Sequence, residues 1–272
     1  LISDPDVPDF EADLRALIRA GHRSIKLFTT YNIGLSDDAI LRVLRIAGDA
    51  GALTCIHAES DAIIADARAR ALAEGRTRPI DHAASRPRAA EIEAVARMCH
   101  LAELARAPVM IFHVSTREAV AGIAAARARG APIWAETCPH YLFQTEDVLD
   151  RPGREGAKWM CSPPQRTRAD QAALWAGIAA GHIQVVSSDH APYRFDETGK
   201  FANGFDAPFS AIANGMPGLE VRQPLMFDAM VTRGRLGLAR FAQITAEAPA
   251  ALYGLRAKGR IAPGHDADLV LW

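Results

Sequence analysis

Ionisable side chains stand near the ends of several short apolar segments, and their types could bind a metal ion. Lys26 lies within SIKLF, His57 ends ALTCIH, His113 follows PVMIF and Asp189 ends IQVVSSD. Two imidazoles and a carboxylate suit a divalent ion such as zinc. A buried lysine is costly unless it is paired, neutralised or modified, and a carbamylated lysine would add a bridging carboxylate. Two bridged metals would hold a hydroxide near neutral pH and polarise a carbonyl.

Each of these residues also has a structural alternative. A single histidine on a strand is more often a hydrogen-bonded structural residue than a ligand, and an aspartate before His190 could cap a helix. Their recurrence at four strand ends favours a shared site, because catalytic residues gather at the carboxyl ends of the strands in a parallel β/α barrel.

Short β-rich runs alternate with alanine-rich helical stretches, a pattern typical of parallel βαβ units. The predicted strands are residues 24–31, 52–57, 108–114, 132–137 and 183–189. The predicted helices are residues 9–20, 36–48, 61–74, 89–106, 116–129, 168–180, 225–233 and 239–253. Five buried parallel strands allow either a doubly wound sheet or part of a (β/α)8 barrel. No GxGxxG motif follows a strand, so dinucleotide binding has no support.

Two segments lie outside this alternation. The loop at residues 190–224 is rich in Gly, Pro, Phe and Asn and is longer than a connector needs, so we expect it to form an active-site wall. Near the C-terminus, KGRIAPGHDADLVLW predicts a turn cluster followed by a strand that ends at Trp272.

Composition narrows the class of protein. The 272 residues are 49% hydrophobic, enough for a core and too apolar for disorder. Lys plus Arg total 31 and Asp plus Glu 32, so no basic surface for nucleic acid or anionic lipid is expected, and the partner should be a small molecule. Four cysteines without a CxxC pair indicate buried thiols in a reducing, cytoplasmic compartment. No apolar run is long enough to predict a membrane span.

Several motifs carry a family resemblance. They are SIKLFTTY, CIHAES, IFHVSTREA, ETCPHYL, KWMCSPPQR, SSDHAPY, NGMPGLEVR and KGRIAPGHDADLVLW. In this order they resemble the dihydropyrimidinase and D-hydantoinase branch of the amidohydrolase superfamily, from about Ser24 onward. The resemblance implies an α/β fold, a (β/α)8 TIM-like metal-dependent hydrolase barrel present as strands 4 to 8 in residues 1–256. Residues 257–272 would begin a small C-terminal β-sandwich domain.

The resemblance also implies a metal centre with two zinc ions. Lys26 would be N-carboxylated and bridge the two ions, His57 and His113 would bind one of them, and Asp189 would bind the other. Asp189 would further act as general base toward the metal-bridging hydroxide and then as general acid toward the leaving amide nitrogen.

Three residues match substrate-binding positions of the family. The Tyr31 hydroxyl would donate to the oxyanion of the tetrahedral intermediate. The backbone groups of Ser162 and Asn214 would hold the imide edge of the ring. The implied reaction is hydrolysis of hydantoins or dihydropyrimidines to N-carbamoyl amino acids, by a dimer or homotetramer.

Two alternatives remain open at this point. His140 in CPHYL is typical of allantoinase and dihydroorotase relatives, whereas Tyr31 is typical of the dihydropyrimidinase branch. Non-catalytic relatives that serve in assembly or binding usually lose metal ligands, and the ligand positions retained here argue against that class.

The family also carries an HxH pair at the end of its first barrel strand, completing the metal site. None of the nine histidines are two residues apart, and no counterpart of strands one to three precedes Ser24. Since the chain also starts at Leu1, we expect a fragment of a longer enzyme that is poorly active or inactive by itself.

The remaining ionisable residues receive simpler predictions. We expect His190 to have a structural role, because adjacent strand residues point to opposite faces. The Arg-rich residues 68–88 should form a solvated face. Cys138 and Cys161 have no histidine placed to activate them, so neither is a predicted nucleophile. Five further histidines should be solvated: His22, His82, His100, His182 and His265.

Overall fold

A computed structural model of the protein describes residues 1–271, and its central element is a five-stranded parallel sheet. The strands are β1 Ser24–Phe28, β2 Leu53–His57, β3 Val109–Ile111, β4 Ile133–Thr137 and β5 Val185–Val186. Their order in the sheet is the order of the chain, and every neighbouring pair is parallel. A doubly wound sheet reverses its order at a switch point, so the uninterrupted order favours the barrel arrangement.

Helices connect the strands and cover one face of the sheet. The α-helices are α1 Phe10–Arg19, α2 Asp37–Asp49, α3 Asp61–Ala73, α4 Asp81–Ser85, α5 Arg88–Ala105, α6 Arg117–Ala128, α7 Pro139–Phe143, α8 Arg168–Ala180, α9 Leu219–Phe227, α10 Gly237–Ala242 and α11 Ala248–Leu252. Short 3-10 segments span Glu146–Asp150, Glu155–Trp159 and Phe209–Ala211, and π segments span Asp228–Thr232 and Gln243–Glu247.

The predicted elements form, with shifts at their ends that have local causes. Helix α8 has the predicted bounds because Thr167 and Asp170 form a capping box and Gly181 ends the helix in the left-handed conformation. Helix α9 begins before the predicted 225, because His190 Nδ1 accepts hydrogen bonds from the amides of Gly218 and Leu219. The predicted helix 239–253 is divided between α10, a π segment and α11.

The two faces of the sheet have different roles. Alternate residues of a strand point to opposite faces, so one set packs on the helices and the other faces the inside of the curved sheet. The helix-facing core includes Ile25, Leu27, Ile56, Val109, Ile111 and Ile133. On the inner face, register partners form the row Lys26, Cys55, Met110 and Trp134. The sheet therefore presents Lys26 to the interior.

The C-terminal segment differs from its prediction. Residues 257–271 contain turns but no strand, and Trp272 lies outside the described residues. Leu269, Val270 and Leu271 are 61%, 73% and 99% exposed, because no strand of the described chain pairs with this segment. The division at 256/257 into barrel and β-sandwich stays a prediction.

Two predictions from composition can be compared with the structure. All four cysteines are buried free thiols. None of the helices formed by residues 1–271 combines the length and apolar character needed to cross a membrane.

Candidate active site

The carboxyl ends of the strands open into a cavity of about 790 Å³. His57 is the last residue of β2, and His113 and Asp189 follow shortly after β3 and β5. This cavity brings together all the residues that the sequence predicted for metal or substrate binding: Lys26, Tyr31, His57, His113, Ser162, Asp189 and Asn214. Ala191, Tyr193 and Gly215 from the long loop also line it, so that loop forms a wall of the cavity.

Two imidazole rings face each other in the cavity. His57 Nδ1 lies 2.9 Å from His113 Nε2, and both residues are buried. Burial lowers the pKa of both rings, so they are neutral at pH 7 and can offer lone pairs. Zinc–nitrogen bonds of about 2.0–2.1 Å place two tetrahedral ligands about 3.4 Å apart. A small opening of the pair, with the His113 proton moved from Nε2 to the unpartnered Nδ1, would therefore admit an ion.

A buried carboxylate orients the first of these rings. Glu59 Oε2 accepts a hydrogen bond from His57 Nε2 at 2.8 Å, and Arg86 contacts the same carboxylate. Burial alone would raise the pKa of Glu59, but Arg86 and His57 together hold it at about 2. The ionised Glu59 leaves His57 Nδ1 as the nitrogen with a lone pair, which is how carboxylates commonly support histidine ligands.

The buried charge network extends beyond Glu59. Arg166 donates to the Arg86 carbonyl at 2.7 Å and lies 3.7 Å from the Glu91 carboxylate. Glu91 in turn accepts from the amide of Ser115 at 2.7 Å. Each buried glutamate of this network thus lies against a buried arginine, although burial raises the pKa of Glu91.

Lys26 enters the cavity among aromatic rings. Its Nζ lies 3.9 Å from the centroid of the Phe112 ring and 4.9 Å from that of Phe28. Burial lowers the pKa of Lys26 to about 8, against the opposing charges of Glu136 and Asp189. Within residues 1–271 this ammonium has no hydrogen-bond acceptor. Such a group is a poorly compensated cation, as expected of an amine that is neutralised or modified.

Strained backbone is concentrated in this cavity. Tyr31, His113 and Asp189 have φ values of 68°, 41° and 42°, in the left-handed region. Non-glycine residues are uncommon there and accumulate at functional sites. The strained backbone turns the Asp189 carboxyl toward the cavity, where burial raises its pKa and Lys26 opposes that effect.

Tyr31 and Ser162 meet on one side of the cavity. The Arg86 guanidinium lies 4.7 Å from the centroid of the Tyr31 ring, and Tyr31 and Ser162 both line the cavity. Burial raises the pKa of the Tyr31 hydroxyl to about 12, although the positive charge of Arg86 acts in the opposite direction. The hydroxyl therefore keeps its proton at neutral pH and can donate it in a hydrogen bond.

The prediction that His82 is solvated is wrong. His82 is only 3% exposed, because helix α4 packs against the loop that carries Ser162. Its Nε2 lies 2.8 Å from the Cys161 carbonyl and 3.4 Å from Ser162 Oγ. His82 thus supports the backbone of a predicted substrate-binding position.

The prediction of a solvated face at residues 68–88 is wrong for Arg86. This residue is 6% exposed and paired with Glu59, whereas the Arg70 side chain is 73% exposed. Glu59 could have been found from its position in HAES, two residues after His57. Its partner Arg86 could not have been found from the sequence, because 27 residues separate Arg86 from Glu59 and only the fold brings them together.

Two further histidines lie outside the cavity lining. His140 is a buried residue of α7 and borders a smaller pocket together with Val221 and Leu225 of α9. His190 accepts backbone hydrogen bonds at the start of α9, which is a structural role.

The donor set for metal ions is limited in the described chain. Across residues 1–271, no three side chains of the His, Cys, Asp and Glu types converge as a metal-binding group. The His57–His113 pair, with Lys26 in the same cavity, fits a single ion if Lys26 is carboxylated. Asp189 would be the one acidic ligand candidate for a second ion on this cavity wall.

The sheet order, together with polar residues at its carboxyl ends, defines a β/α-barrel enzyme fold. The chain belongs to the amidohydrolase family, whose profile matches residues 24–272. Members of this family are generally metal-dependent. The family and fold predictions are therefore confirmed.

Individual relatives refine this assignment. A D-phenylhydantoinase of Escherichia coli O1:K1 is 41% identical over 261 residues, which are 95% of this chain and 56% of the relative. The structure of a dihydropyrimidinase from Brevibacillus agri matches with a TM-score of 0.93 and 37% identity, over 98% of this chain and 58% of that one. An L-hydantoinase from Arthrobacter aurescens matches with a TM-score of 0.87 and 28% identity, over 96% of this chain and 58% of that one. The chain thus spans less than two thirds of the length of these relatives.

Proposed function

We propose that this cavity binds a cyclic amide and serves its hydrolysis, opening hydantoins or dihydropyrimidines to N-carbamoyl amino acids. The observation that carries the proposal is the convergence of the His57–His113 pair, Lys26 and Asp189 with Tyr31 in one cavity. Relatives named as hydantoinases and dihydropyrimidinases support the substrate class.

The proposed metal centre uses the ionisable half of the cavity. His57 and His113 would hold one zinc ion, Asp189 would hold a second, and N-carboxylated Lys26 would bridge the two. Bound ions would acidify a water molecule and polarise the ring carbonyl. Burial of Lys26 favours its modification, because carboxylation removes a desolvated ammonium that has no hydrogen-bond acceptor within the described chain.

The chain's own residues would then handle the proton and the ring. Asp189 would take the proton of the attacking water and deliver it to the departing ring nitrogen. Tyr31 would donate its hydrogen bond to the oxygen that gains charge in the transition state. The backbone groups of Ser162 and Asn214 would hold the imide edge of the ring.

The allantoinase or dihydroorotase alternative is less well supported. Among the described residues that line the cavity there is no arginine, the side chain best suited to pair with a carboxylate such as that of dihydroorotate. His140, which suggested this alternative, lies behind the cavity wall. An uncharged ring fits the lining better.

A substrate panel tests the proposal. The full-length protein is loaded with zinc and assayed with hydantoin, dihydrouracil, allantoin and dihydroorotate, and its zinc content is measured in parallel. We expect hydantoin or dihydrouracil to be hydrolysed fastest. Fastest turnover of allantoin or dihydroorotate would overturn the substrate class, and a zinc-bound protein inactive on all four would favour a non-catalytic relative.

A variant pair tests the metal centre. We expect Lys26→Ala to abolish turnover and to lose the carbamate signal that 13C NMR detects after labelling with 13C-bicarbonate. The matched control is Lys158→Ala, because Lys158 is exposed and bonded to Glu155. A carbamate signal that persists in Lys26→Ala would contradict the assignment.

The dimer or tetramer and the cytoplasmic location stay predictions. Light scattering can measure the oligomeric state.

A further inference from the structure

Lys200 is a buried cation that the proposed mechanism does not use. It is 2% exposed, and its Nζ donates to the carbonyls of Met160 at 3.2 Å, Ala213 at 2.8 Å and Gly215 at 2.7 Å. An ammonium has three donor hydrogens, so these carbonyls use all of them. Within residues 1–271, no carboxylate lies within ion-pairing distance of this nitrogen.

A buried ammonium without a carboxylate is an uncommon choice for a purely structural position. Desolvation lowers the pKa of Lys200 to about 8, so the group is still mostly protonated at neutral pH. An apolar side chain of similar length would fill the same space without burying a charge. We therefore attribute the presence of a positive charge at Lys200 to its hydrogen bonds with backbone carbonyl oxygens.

The three carbonyls belong to the two segments that carry the predicted ring-binding positions. Met160 precedes the Cys161–Ser162 turn, while Ala213 and Gly215 flank Asn214. The Gly215 amide also donates to the Met160 carbonyl at 2.9 Å, so the segments are adjacent. Lys200 does not line the cavity itself, and its Nζ also lies 5.7 Å from the centroid of the Tyr193 ring, which does line it.

The backbone of Lys200 is itself held in place. Its backbone amide donates to the Arg194 carbonyl at 2.8 Å, and its carbonyl accepts from the Ala213 amide at 3.3 Å. The next residue, Phe201, is buried in a small apolar cluster with Met160, Phe209 and Ile212. The side chain therefore extends from a rigid point into the junction of the two segments.

We propose that Lys200 is a positioning residue whose ammonium ties the Ser162 and Asn214 segments together and so sets the spacing of the backbone groups that hold the ring. The statement about the ring rests on the proposed function. The tie between the two segments does not.

The first test uses the unaltered chain. With 15N-labelled lysine, NMR should show the Lys200 ammonium as a slowly exchanging signal, coupled across hydrogen bonds to the carbonyl carbons of Met160, Ala213 and Gly215. A rapidly exchanging ammonium without these couplings would overturn the proposal. This readout stands even where a variant fails to fold.

The second test compares Lys200→Met with Lys258→Met, a matched control whose ammonium is exposed and paired with Asp266 and Asp268. In Lys200→Met we expect amide hydrogen exchange of residues 160–162 and 213–216 to rise about tenfold or more, while the amides of β1–β4 keep their protection. Unchanged exchange in both segments would overturn the proposal.

The third test reads out the ring and uses dihydrouracil as the probe. We expect its Kd to rise about tenfold in Lys200→Met and to stay unchanged in Lys258→Met. If the protein turns the ring over, KM should rise with kcat nearly unchanged, since the reacting groups are untouched. Equal Kd in wild type and Lys200→Met would overturn the ring-positioning role. If the wild type fails to bind dihydrouracil, the proposed function is contradicted. The first two tests still decide whether Lys200 joins the two segments.

Discussion

The two sides of the cavity are stabilised in opposite ways. On the imidazole side, His57 is hydrogen-bonded to Glu59, which is paired with Arg86, and the chain of partners continues to Arg166 and Glu91. On the lysine side, Lys26 Nζ lies against the rings of Phe112 and Phe28. Burial disfavours the charged forms of both Lys26 and Asp189, and their opposite charges offset this only in part.

This difference shows which side of the cavity is held in place by the protein's own hydrogen bonds and ion pairs. The imidazole side is preorganised by protein hydrogen bonds, as a site needs if its ligands are to keep their geometry. The lysine side carries groups whose charges the fold alone does not compensate. Substitutions on the first side should therefore reduce stability, whereas substitutions on the second should reduce activity and leave stability intact or improved.

The largest effect is expected on the lysine side, in activity. Asp189→Asn should lower kcat by about 10²–10⁴-fold, because an amide cannot act as general base and acid. The free energy of unfolding should change little, since Asp189 is half-buried and desolvated. Steady-state kinetics on dihydrouracil and urea unfolding measure the two quantities. Asp206→Asn, at an exposed loop position, is the matched control. A large loss of stability in Asp189→Asn would remove the contrast between the two sides.

The next effect is expected on the imidazole side, in stability. Arg86→Met should lower the free energy of unfolding by about 3–5 kcal/mol, because it leaves Glu59 buried without its cation. Arg70→Met, which removes an exposed pair with Asp66, should change it by no more than about 0.5 kcal/mol. Urea unfolding of both variants measures the difference. Equal stabilities would show that the buried network does not hold this side of the site.

A pH dependence is expected from His82, which supports the Cys161–Ser162 segment of the cavity. Burial lowers the pKa of His82 from 6.5 to about 3, so the unfolded chain takes up a proton before the folded protein does. Its stabilising contribution is thus fully present above pH 6.5 and is lost as the pH falls toward 3. Between pH 7 and pH 5 this one group should account for about 2 kcal/mol.

The variant His82→Gln isolates that contribution. Glutamine can still donate to the Cys161 carbonyl but does not titrate in this range. Its free energy of unfolding should therefore fall less than that of wild type between pH 7 and pH 5, whereas the exposed His100→Gln should follow wild type. Parallel pH dependences for all three proteins would count against a neutral, buried His82.

The smallest effect should have the opposite sign. Lys26→Met removes the ammonium that burial disfavours and keeps the side chain between the aromatic rings. We expect the metal-free variant to be more stable than the metal-free wild type by about 1 kcal/mol. A stability below that of wild type would indicate that Lys26 has a supporting partner, and the two sides of the cavity would no longer differ.

The sequence predicted much of the fold because its signals were local. Apolar runs marked the five strands, and polar residues at their ends marked the cavity. The prediction of a strand near the C-terminus was wrong for residues 257–271. A local apolar run becomes a strand only where another strand is available to pair with it. His82 and Arg86 were misplaced because a polar residue between helices is ordinarily solvated, and nothing local marks a buried partner.

By itself, the sequence determined the residue types at the strand ends, the alternation of strands and helices, and the family resemblance. Only the tertiary structure decided that His57 faces His113, that Arg86 compensates Glu59, and that Lys200 joins the Ser162 and Asn214 segments. The physical reason is distance along the chain. Periodicity and turn chemistry act over a few residues and can be read from the sequence, whereas the compensation of a buried charge depends on which remote groups the fold brings within about 3 Å of it.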